Sequence, residues 1–237
     1  MALSCIEGKM MPTHDAEKWF EKYRDNLRRE VGLLADYVAL YRSLHERATD
    51  HLSEINFAPA FFRLVTGAVF STIILWTDKL LDEKGQRGIF DFMKFVEANW
   101  RMFSIERLKC RRKFPDSHWV LEGRRKEGEI TLKKIAKDRD RLKTLGCLKS
   151  LRTRRDRYYA HFDKKYFFDL ERLARETPIA LKDFEGAVNA LWEIVNKYSA
   201  AYDSKSFEMT SSNINDLDHI LYALREYKTS EAQRYSE

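Results

Sequence analysis

Glycine, proline and cysteine are all scarce in this chain. Its 237 residues include 9 Gly, 4 Pro and 3 Cys, and long stretches contain none of the three. Because glycine and proline interrupt regular backbone structure, their scarcity predicts helices that are joined by short loops. No stretch rich in Pro, Ser or Gly divides the chain, so we predict a single domain that spans residues 1–237.

The few cysteines exclude several kinds of site. Cys5, Cys110 and Cys147 are far apart and odd in number, which fits neither a disulfide framework nor a CxxC metal site. The histidines lack ligand spacing, and no phosphate-binding, dinucleotide-binding or HExxH motif occurs, so we predict no metal ion and no cofactor. Segment 1–19 has no apolar run before its charges, which predicts a cytoplasmic protein without a secretion signal.

Long hydrophobic runs are also missing, with one exception. Residues 64–76 read LVTGAVFSTIILW, which are 13 uncharged residues between Arg63 and Asp78. A membrane-spanning helix needs about 20 apolar residues. The run therefore predicts a central buried helix rather than a membrane span.

Positive charge is concentrated in one part of the chain. The net charge is only +6, but residues 101–157 contain 20 Lys and Arg against 8 Asp and Glu, a local balance of +12. The remaining residues hold 23 basic and 29 acidic side chains, a balance of −6. This pattern fits either solvated helices with internal salt bridges or a surface that binds phosphates.

Apolar residues recur every three or four positions over most of the chain, as on the buried face of a helix. They predict an all-α bundle of about six to eight helices: 15–52, 59–81 capped by Asn56, 89–107, 117–145 in one or two pieces, a motif helix at about 147–163, and C-terminal helices within 181–228. The remaining predictions are a short helix or loop at 164–178, a cap at 211–213, strand-like alternation at 119–121 only, and a frayed tail after Lys228.

The most informative stretch, LRTRRDRYYAHFD at residues 151–163, combines an arginine and a histidine. Leu151, Arg155 and Tyr158 recur at helical spacing and so share a face with further apolar residues. A guanidinium keeps its charge, so Arg155 on this stripe needs an acidic partner, a protein–protein interface or an anionic ligand. His161 is the nearby side chain that titrates close to neutral pH.

This stretch resembles the R-φ-x4-6-H motif of the HEPN superfamily, in which φ is a polar residue. It is most similar to the AbiU-type branch associated with abortive infection, whose motif commonly reads R-[ND]-[KR]-x-x-A-H-x-D. The matching residues are Arg155, Asp156, Arg157, Ala160, His161 and Asp163. The upstream segment WTDKLLD, residues 76–82, is similar to the segment that precedes the motif in that branch.

The resemblance implies a helical bundle that dimerises across its motif helices. Many HEPN domains are metal-independent endoribonucleases of toxin–antitoxin, abortive-infection or CRISPR systems, whereas others have lost activity and only bind. The implied partners are RNA, a second copy of the chain and a cognate antitoxin protein. In an active domain, Arg155 and His161 are the catalytic residues.

The chemistry of these residues fits RNA cleavage by attack of a 2′-OH on the neighbouring phosphate. Histidine transfers protons, and arginine holds phosphate oxygens. Six residues of regular α-helix leave His161 about 120° from Arg155, so one helix aims both groups poorly at one phosphate. Two copies related by a two-fold axis bring each motif to its mate.

Neighbouring side chains have supporting roles in this scheme. Asp156 pairs with Arg152 or orients a catalytic group, Asp163 holds one tautomer of His161, and Tyr159 stacks on a base or packs in the core. Arg152, Arg154 and Arg157 are the candidate RNA contacts. The supporting residues in this scheme are therefore Asp156, Asp163 and Tyr159.

Two alternatives remain open from the sequence. An R-x5-H pair arises by chance in many arginine-rich chains. The first alternative to the endoribonuclease is therefore a non-catalytic HEPN-like module that binds RNA or a protein, and the second is a structural helical protein. In the structural alternative, Arg155 belongs to a buried ion pair within its own chain.

Overall fold

Helices account for most of the described residues, which are 3–6, 9–161, 163–209 and 215–234 of the computed structural model. The helices are α1 (Thr13–Asp50), α2 (Leu52–Ile55), α3 (Pro59–Leu81), α4 (Ile89–Ala98), α5 (Ile105–Arg112), α6 (Trp119–Glu127), α7 (Leu132–Lys143), α8 (Leu148–Arg154), α9 (Lys164–Phe167), α10 (Leu170–Glu176), α11 (Leu181–Asp203) and α12 (Asn215–Arg234). A 3₁₀ turn covers Trp100–Phe103, and a π-helical turn covers Arg155–Tyr159. The predicted all-α class is confirmed.

Two four-residue strands precede the first helix. β1 (Leu3–Ile6) pairs antiparallel with β2 (Lys9–Pro12), so that Leu3 lies opposite Pro12. The predicted strand-like alternation at 119–121 is wrong, because these residues begin α6 and His118 accepts a hydrogen bond from the Val120 amide at their N-terminal end. An alternation of three residues is too short to specify a strand.

The core forms where α1, α3 and α11 pack together with α4. An aromatic cluster fills its centre: the Phe20 ring lies 4.6 Å from the Tyr202 ring and 5.1 Å from the Phe103 ring. Arg24 of α1 and Asp203 at the end of α11 are both buried and form an ion pair at 2.9 Å. This pair satisfies two charges that are costly to bury alone, and it ties the C-terminal end of α11 to α1.

Several helices are shorter than their periodicity predicts. The segment 89–107 breaks between Ala98 and Ile105, where the 3₁₀ turn intervenes. The segment 117–145 divides into α6 and α7 at Gly128, whose φ of +75° favours glycine. These two breaks, together with the short helices α2, α9 and α10, explain why twelve α-helices are found in the described residues instead of six to eight.

Other helix ends also differ from prediction. α3 begins at Pro59 with Ala58 as its N-cap, and Asn56 instead ends α2. α12 continues to Arg234, beyond the predicted start of fraying at Lys228. The predicted cap at 211–213 lies outside the described residues. Helix α11 begins at Leu181, which is the predicted start of the C-terminal helices.

The apolar run lies in α3, which is only half enclosed. Most of its buried residues lie in its C-terminal half, and Phe61 and Leu64 near its start are 57% and 69% exposed. Within the described residues, α3 is the one helix long and apolar enough to cross a membrane, and only 28% of its most apolar window is buried. The prediction of a central buried helix is therefore wrong for the first half of α3, and a single helix of this kind is weak evidence for a span.

Candidate functional site

The motif residues do not form one continuous helix. Regular α8 ends at Arg154, and the chain then makes a π-helical turn in which the Ala160 amide donates to the Arg155 carbonyl at 2.7 Å. The Asp163 amide donates to the Arg157 carbonyl at 2.9 Å, which turns the chain away from the helix axis. The predicted motif helix at 147–163 is therefore too long, and single π turns of this kind are frequent at functional sites.

This turn also changes the expected angle between the two candidate catalytic residues. The value of about 120° assumed six residues of regular α-helix. A π turn advances by a smaller angle per residue, and His161 lies in a bend beyond the turn. The prediction that Arg155 and His161 lie about 120° apart on one helix is therefore wrong for this backbone.

Arg155 is held by two carboxylates of its own chain. Its Nη1 donates to Asp78 Oδ2 of α3, and its Nε donates to Asp156 Oδ1 at 2.7 Å. The hydrogen bond to Asp156 is the main cause that raises the pKa of the guanidinium. The side chain of Arg155 is 28% exposed and that of Asp78 only 5%. Arg155 thus joins the buried end of α3 to the surface of the motif.

Asp78 is the functional neighbour that the motif analysis missed. It lies on the buried face of α3 beside Thr77 and Leu81, and its desolvation raises the pKa of the carboxyl. The hydrogen bond and charge of Arg155 lower this pKa only in part. An acid inside the apolar periodicity of WTDKLLD was the sequence signal for such a partner, because a buried carboxylate requires a cation or strong donors.

Asp156 connects the two candidate catalytic residues electrostatically. The hydrogen bond from Arg155 lowers the pKa of the Asp156 carboxyl, and the charge of His161 adds to this effect. Both Asp156 and His161 are exposed. Arg155, Asp156 and His161 therefore lie in one neighbourhood at the surface, in which Asp156 is paired with the arginine and is close enough to His161 to respond to its charge.

Asp163 has hydrogen bonds of a different kind from those expected. Its carboxylate accepts from Arg157 Nη1 at 2.7 Å and from the Lys165 amide at 2.9 Å, so that it caps α9. The Lys165 amide is the main cause that lowers the pKa of this carboxyl. The proposed contact from Asp163 to His161 does not occur among these hydrogen bonds, because capping directs the carboxylate toward α9.

The three candidate RNA-binding arginines differ in their surroundings. Arg157 is largely exposed, and Arg152 reaches Glu83 Oε1 at 3.3 Å and the Leu81 carbonyl at 3.4 Å. Arg154 turns inward, donates to the Thr177 carbonyl at 2.8 Å, and has a pKa that burial lowers. In this arrangement Arg154 stabilises the fold, whereas Arg152 and Arg157 remain accessible at the surface.

Tyr159 packs rather than presenting its ring to solvent. Its ring meets that of Phe70 edge to face at 6.5 Å, and its partial burial raises the pKa of the phenol. Tyr158 lies edge to face with Tyr159 at 5.2 Å. Of the two alternatives for Tyr159, these contacts favour core packing over base stacking.

The comparisons with known proteins agree with this architecture. The family model HEPN_AbiU2, described as AbiU2, matches residues 17–220, a span that begins in α1, ends in α12 and contains the whole motif. No curated protein and no solved structure matches the chain. Because the family match covers far more than half of the sequence, the chain belongs to the AbiU2 family of abortive-infection HEPN-type domains.

Proposed function

We propose that this protein is a metal-independent endoribonuclease that cleaves RNA as a cytoplasmic homodimer in a defence or toxin system. The single observation that carries the proposal is the surface neighbourhood of Arg155, Asp156 and His161. It joins a fixed cation to an exposed imidazole within an AbiU2-family domain. These two groups are the ones that the cleavage reaction requires.

The reaction uses the RNA's own hydroxyl as the nucleophile. The 2′-oxygen attacks the adjacent phosphorus, a base accepts the hydroxyl proton, and the bond from phosphorus to the 5′-oxygen breaks as that oxygen accepts a proton. His161 supplies proton transfer, which typically contributes 10²- to 10⁴-fold to a rate. Arg155 stabilises the charge that develops on the phosphoryl oxygens.

The two carboxylates on Arg155 have separate effects in this scheme. Asp78 is buried and fixes the guanidinium through Nη1, whereas Asp156 is exposed and holds Nε. Because an exposed ion pair is weak, an RNA phosphate competes with Asp156 for the guanidinium. Asp78 therefore positions Arg155, and Asp156 is the exchangeable partner.

A second copy of the chain is the proposed partner at the motif. Phe167, Phe168 and Leu170, which follow the motif directly, are all more than half exposed. Large exposed apolar side chains beside a charged site are typical of protein interfaces. A two-fold axis at this surface brings two copies of Arg155 and His161 to one cleft. A cognate antitoxin is the other protein that we propose for this surface.

RNA cleavage in EDTA tests the proposal. We expect the purified protein to cut single-stranded RNA with the chelator present, and His161→Ala to lower the rate at least about 100-fold. His219→Ala is the matched control, since His219 is an exposed histidine of α12. Cutting by His161→Ala at the rate of the control variant would disprove the assigned role.

A non-catalytic module is the second candidate function. The ion pair between Arg155 and Asp78 is the one that the structural alternative expects, and it favours a non-catalytic protein because a motif arginine satisfied within its own chain serves the fold. RNA binding that weakens with added salt, without any cleavage product, would assign this function instead.

A further inference from the structure

A cleft separate from the motif lies between α1 and the loop of residues 82–88. Its volume is about 540 Å³, and its lining includes Trp19, Lys22, Asn26, Lys79 and Arg87. Volumes of this size are typical of small-molecule sites. Neither the motif residues nor their direct partners line this cleft, so its role is independent of the cleavage site.

The rim of the cleft has an excess of positive charge. It contains Lys22, Arg29, Lys79 and Arg87 against one acid, Glu30. Arg29 pairs with Glu30 at 3.1 Å, while no ion pair joins Lys22, Lys79 or Arg87 to any described residue. Three cations without an ion pair, one of which (Lys79) also lies over the Trp76 ring at 4.4 Å, favour an anionic ligand at one concave surface.

The floor of the cleft is apolar and aromatic. Trp19 and Tyr23 of α1 line it together with Leu27 and Leu80. The Trp19 ring stacks on Phe95 at 4.3 Å and is only partly buried. A fixed, partly accessible indole is a suitable surface for an aromatic ring of a ligand.

The loop that carries Arg87 is anchored to this floor. Tyr23 donates a hydrogen bond to the Gly88 carbonyl at 2.8 Å, and a side chain at Gly88 would lie 3.0 Å from the Leu80 carbonyl. Arg87 itself has a φ of +71°, in the left-handed region that favours glycine. The fold therefore holds an arginine at the rim in a conformation that its residue type rarely adopts.

We propose that this cleft binds a nucleotide, with the base packed on Trp19 and the phosphates held by Lys22, Lys79 and Arg87. The side-chain amides of Asn26 and Gln86, which also line the cleft, offer donors and acceptors for a base edge. Inorganic phosphate alone would leave the apolar floor in contact with water. A purely apolar ligand would cover three cations without compensating their charge.

Two sources supply this chemistry, a free nucleotide and the 5′-phosphate end of an RNA strand. Isothermal titration of the full chain carrying His161→Ala separates them without cleavage, using ATP, GTP, inorganic phosphate, and one short RNA with a 5′-phosphate or a 5′-OH. Tighter binding of ATP or GTP identifies a free nucleotide. Binding of the 5′-phosphorylated RNA that is tighter than binding of the 5′-OH form, by a margin that Lys22→Ala/Arg87→Ala removes, identifies a strand end.

Matched charge variants locate the site. We expect Lys22→Ala/Arg87→Ala to weaken nucleotide binding by about tenfold or more, because two charge-assisted contacts are lost. Lys18→Ala/Lys84→Ala removes the same charge from the same helix and loop, outside the cleft lining, and is expected to bind as the parent does. Trp19→Tyr, which keeps an aromatic floor, is expected to retain most of the affinity, and Trp19→Leu to lose it.

Three results would overturn the proposal. They are an absence of binding by every free nucleotide at millimolar concentration together with equal binding of the two RNA forms, equal weakening by both double variants, and binding of inorganic phosphate as tight as that of ATP. Circular dichroism of each variant confirms that the helices are intact. Since RNA cleavage plays no part in these titrations, their failure leaves the proposed endoribonuclease activity untouched.

Discussion

Arg155 and Asp78 form an ion pair whose two partners lie in different surroundings. The Asp78 carboxyl is buried, whereas Arg155 reaches the surface and also bonds to Asp156. Burial raises the pKa of Asp78 despite the nearby guanidinium. Loss of the arginine leaves a desolvated carboxylate alone, while loss of the acid leaves a cation that water and Asp156 still satisfy.

We therefore expect unequal costs for the two single variants. Arg155→Gln should lower the free energy of unfolding by about 2 to 3 kcal/mol, below the range for fully buried pairs because Arg155 is partly exposed. Asp78→Asn should cost less than about 1 kcal/mol. The double variant Arg155→Gln/Asp78→Asn should be more stable than Arg155→Gln alone. Urea unfolding of the four proteins measures these differences.

The same pair gives a pH dependence with a definite sign. Because the pKa of Asp78 is raised in the folded state, its contribution to stability is present below the unfolded pKa and is lost as pH rises through the folded pKa. The free energy of unfolding of Arg155→Gln is expected to be lower than that of the double variant, and this difference should shrink as the pH falls. Equal costs for both single variants at pH 7, or a deficit that grows in acid, contradict this account.

At the scale of elements, the π-helical turn and the two short helices after it determine where His161 lies. α9 and α10 are joined at Glu176, whose carboxylate accepts from Lys165 Nζ at 2.5 Å, Tyr166 Oη at 2.8 Å and Arg172 Nε at 2.9 Å. These hydrogen bonds, led by that of Arg172, lower the pKa of Glu176 to about 2. One carboxylate thus connects the segment after the motif into a unit.

Glu176→Gln should make the segment 164–176 locally less stable. We expect faster amide exchange in residues 164–176, measured by hydrogen–deuterium exchange, because the charge-assisted hydrogen bonds are weakened. Since the folded pKa is lowered, the contribution of Glu176 is present above the unfolded pKa and is lost as the pH falls toward about 2.

Glu171→Gln is the control for this variant, because Glu171 is 90% exposed and meets Arg175 only at 3.5 Å. Its exchange should match that of the parent protein. Equal exchange rates in all three proteins across 164–176 would show that Glu176 does not organise the segment after the motif.

At the scale of the whole molecule, charges that are segregated along the sequence meet in space. Cations of the 101–157 region pair with acids outside it: Arg111 with Glu17 at 2.7 Å, Arg139 with Glu97 at 2.6 Å and Arg141 with Glu193 at 2.6 Å. Part of the +12 balance is therefore neutralised between helices. Of the two interpretations of this region, internal salt bridges account for these three arginines, and Arg152 and Arg157 near the motif also pair with acids, Glu83 and Asp163, while they stay partly exposed.

A mixing experiment tests the proposed composite site. Two inactive variants, Arg155→Gln/Asp78→Asn and His161→Ala, are purified, mixed under conditions that exchange subunits, and assayed for RNA cleavage. If each site takes its arginine from one protomer and its histidine from the other, the mixed dimer has one complete site. We expect partial recovery of cleavage on mixing.

Light scattering accompanies this assay, and each variant mixed with itself is the control. Dimers that exchange subunits without any recovery would place Arg155 and His161 in the same protomer. A monomer at every concentration tested would remove the proposed interface altogether.

The sequence by itself determined the helical class, the main helices and the motif. These depend on neighbours within a few turns: scarce glycine and proline, apolar spacing, and residues such as Gly128 that end a helix locally. The break between Ala98 and Ile105 has a local signal in the N-cap Ser104, which the apolar periodicity concealed, whereas the π turn at Arg155 has none, so periodicity alone predicted continuous helices there.

Only the tertiary structure decided the partners of the functional side chains. Asp78 reaches Arg155 across 77 residues of sequence, and the cleft joins Trp19 and Lys22 to Lys79 and Arg87 through the packing of α1 against α3. The packing of the helices determines which charges are buried and which are paired. A buried carboxylate such as Asp78 then requires a cation, because an unpaired buried charge is costly. This cost of desolvation arises only when the chain has folded.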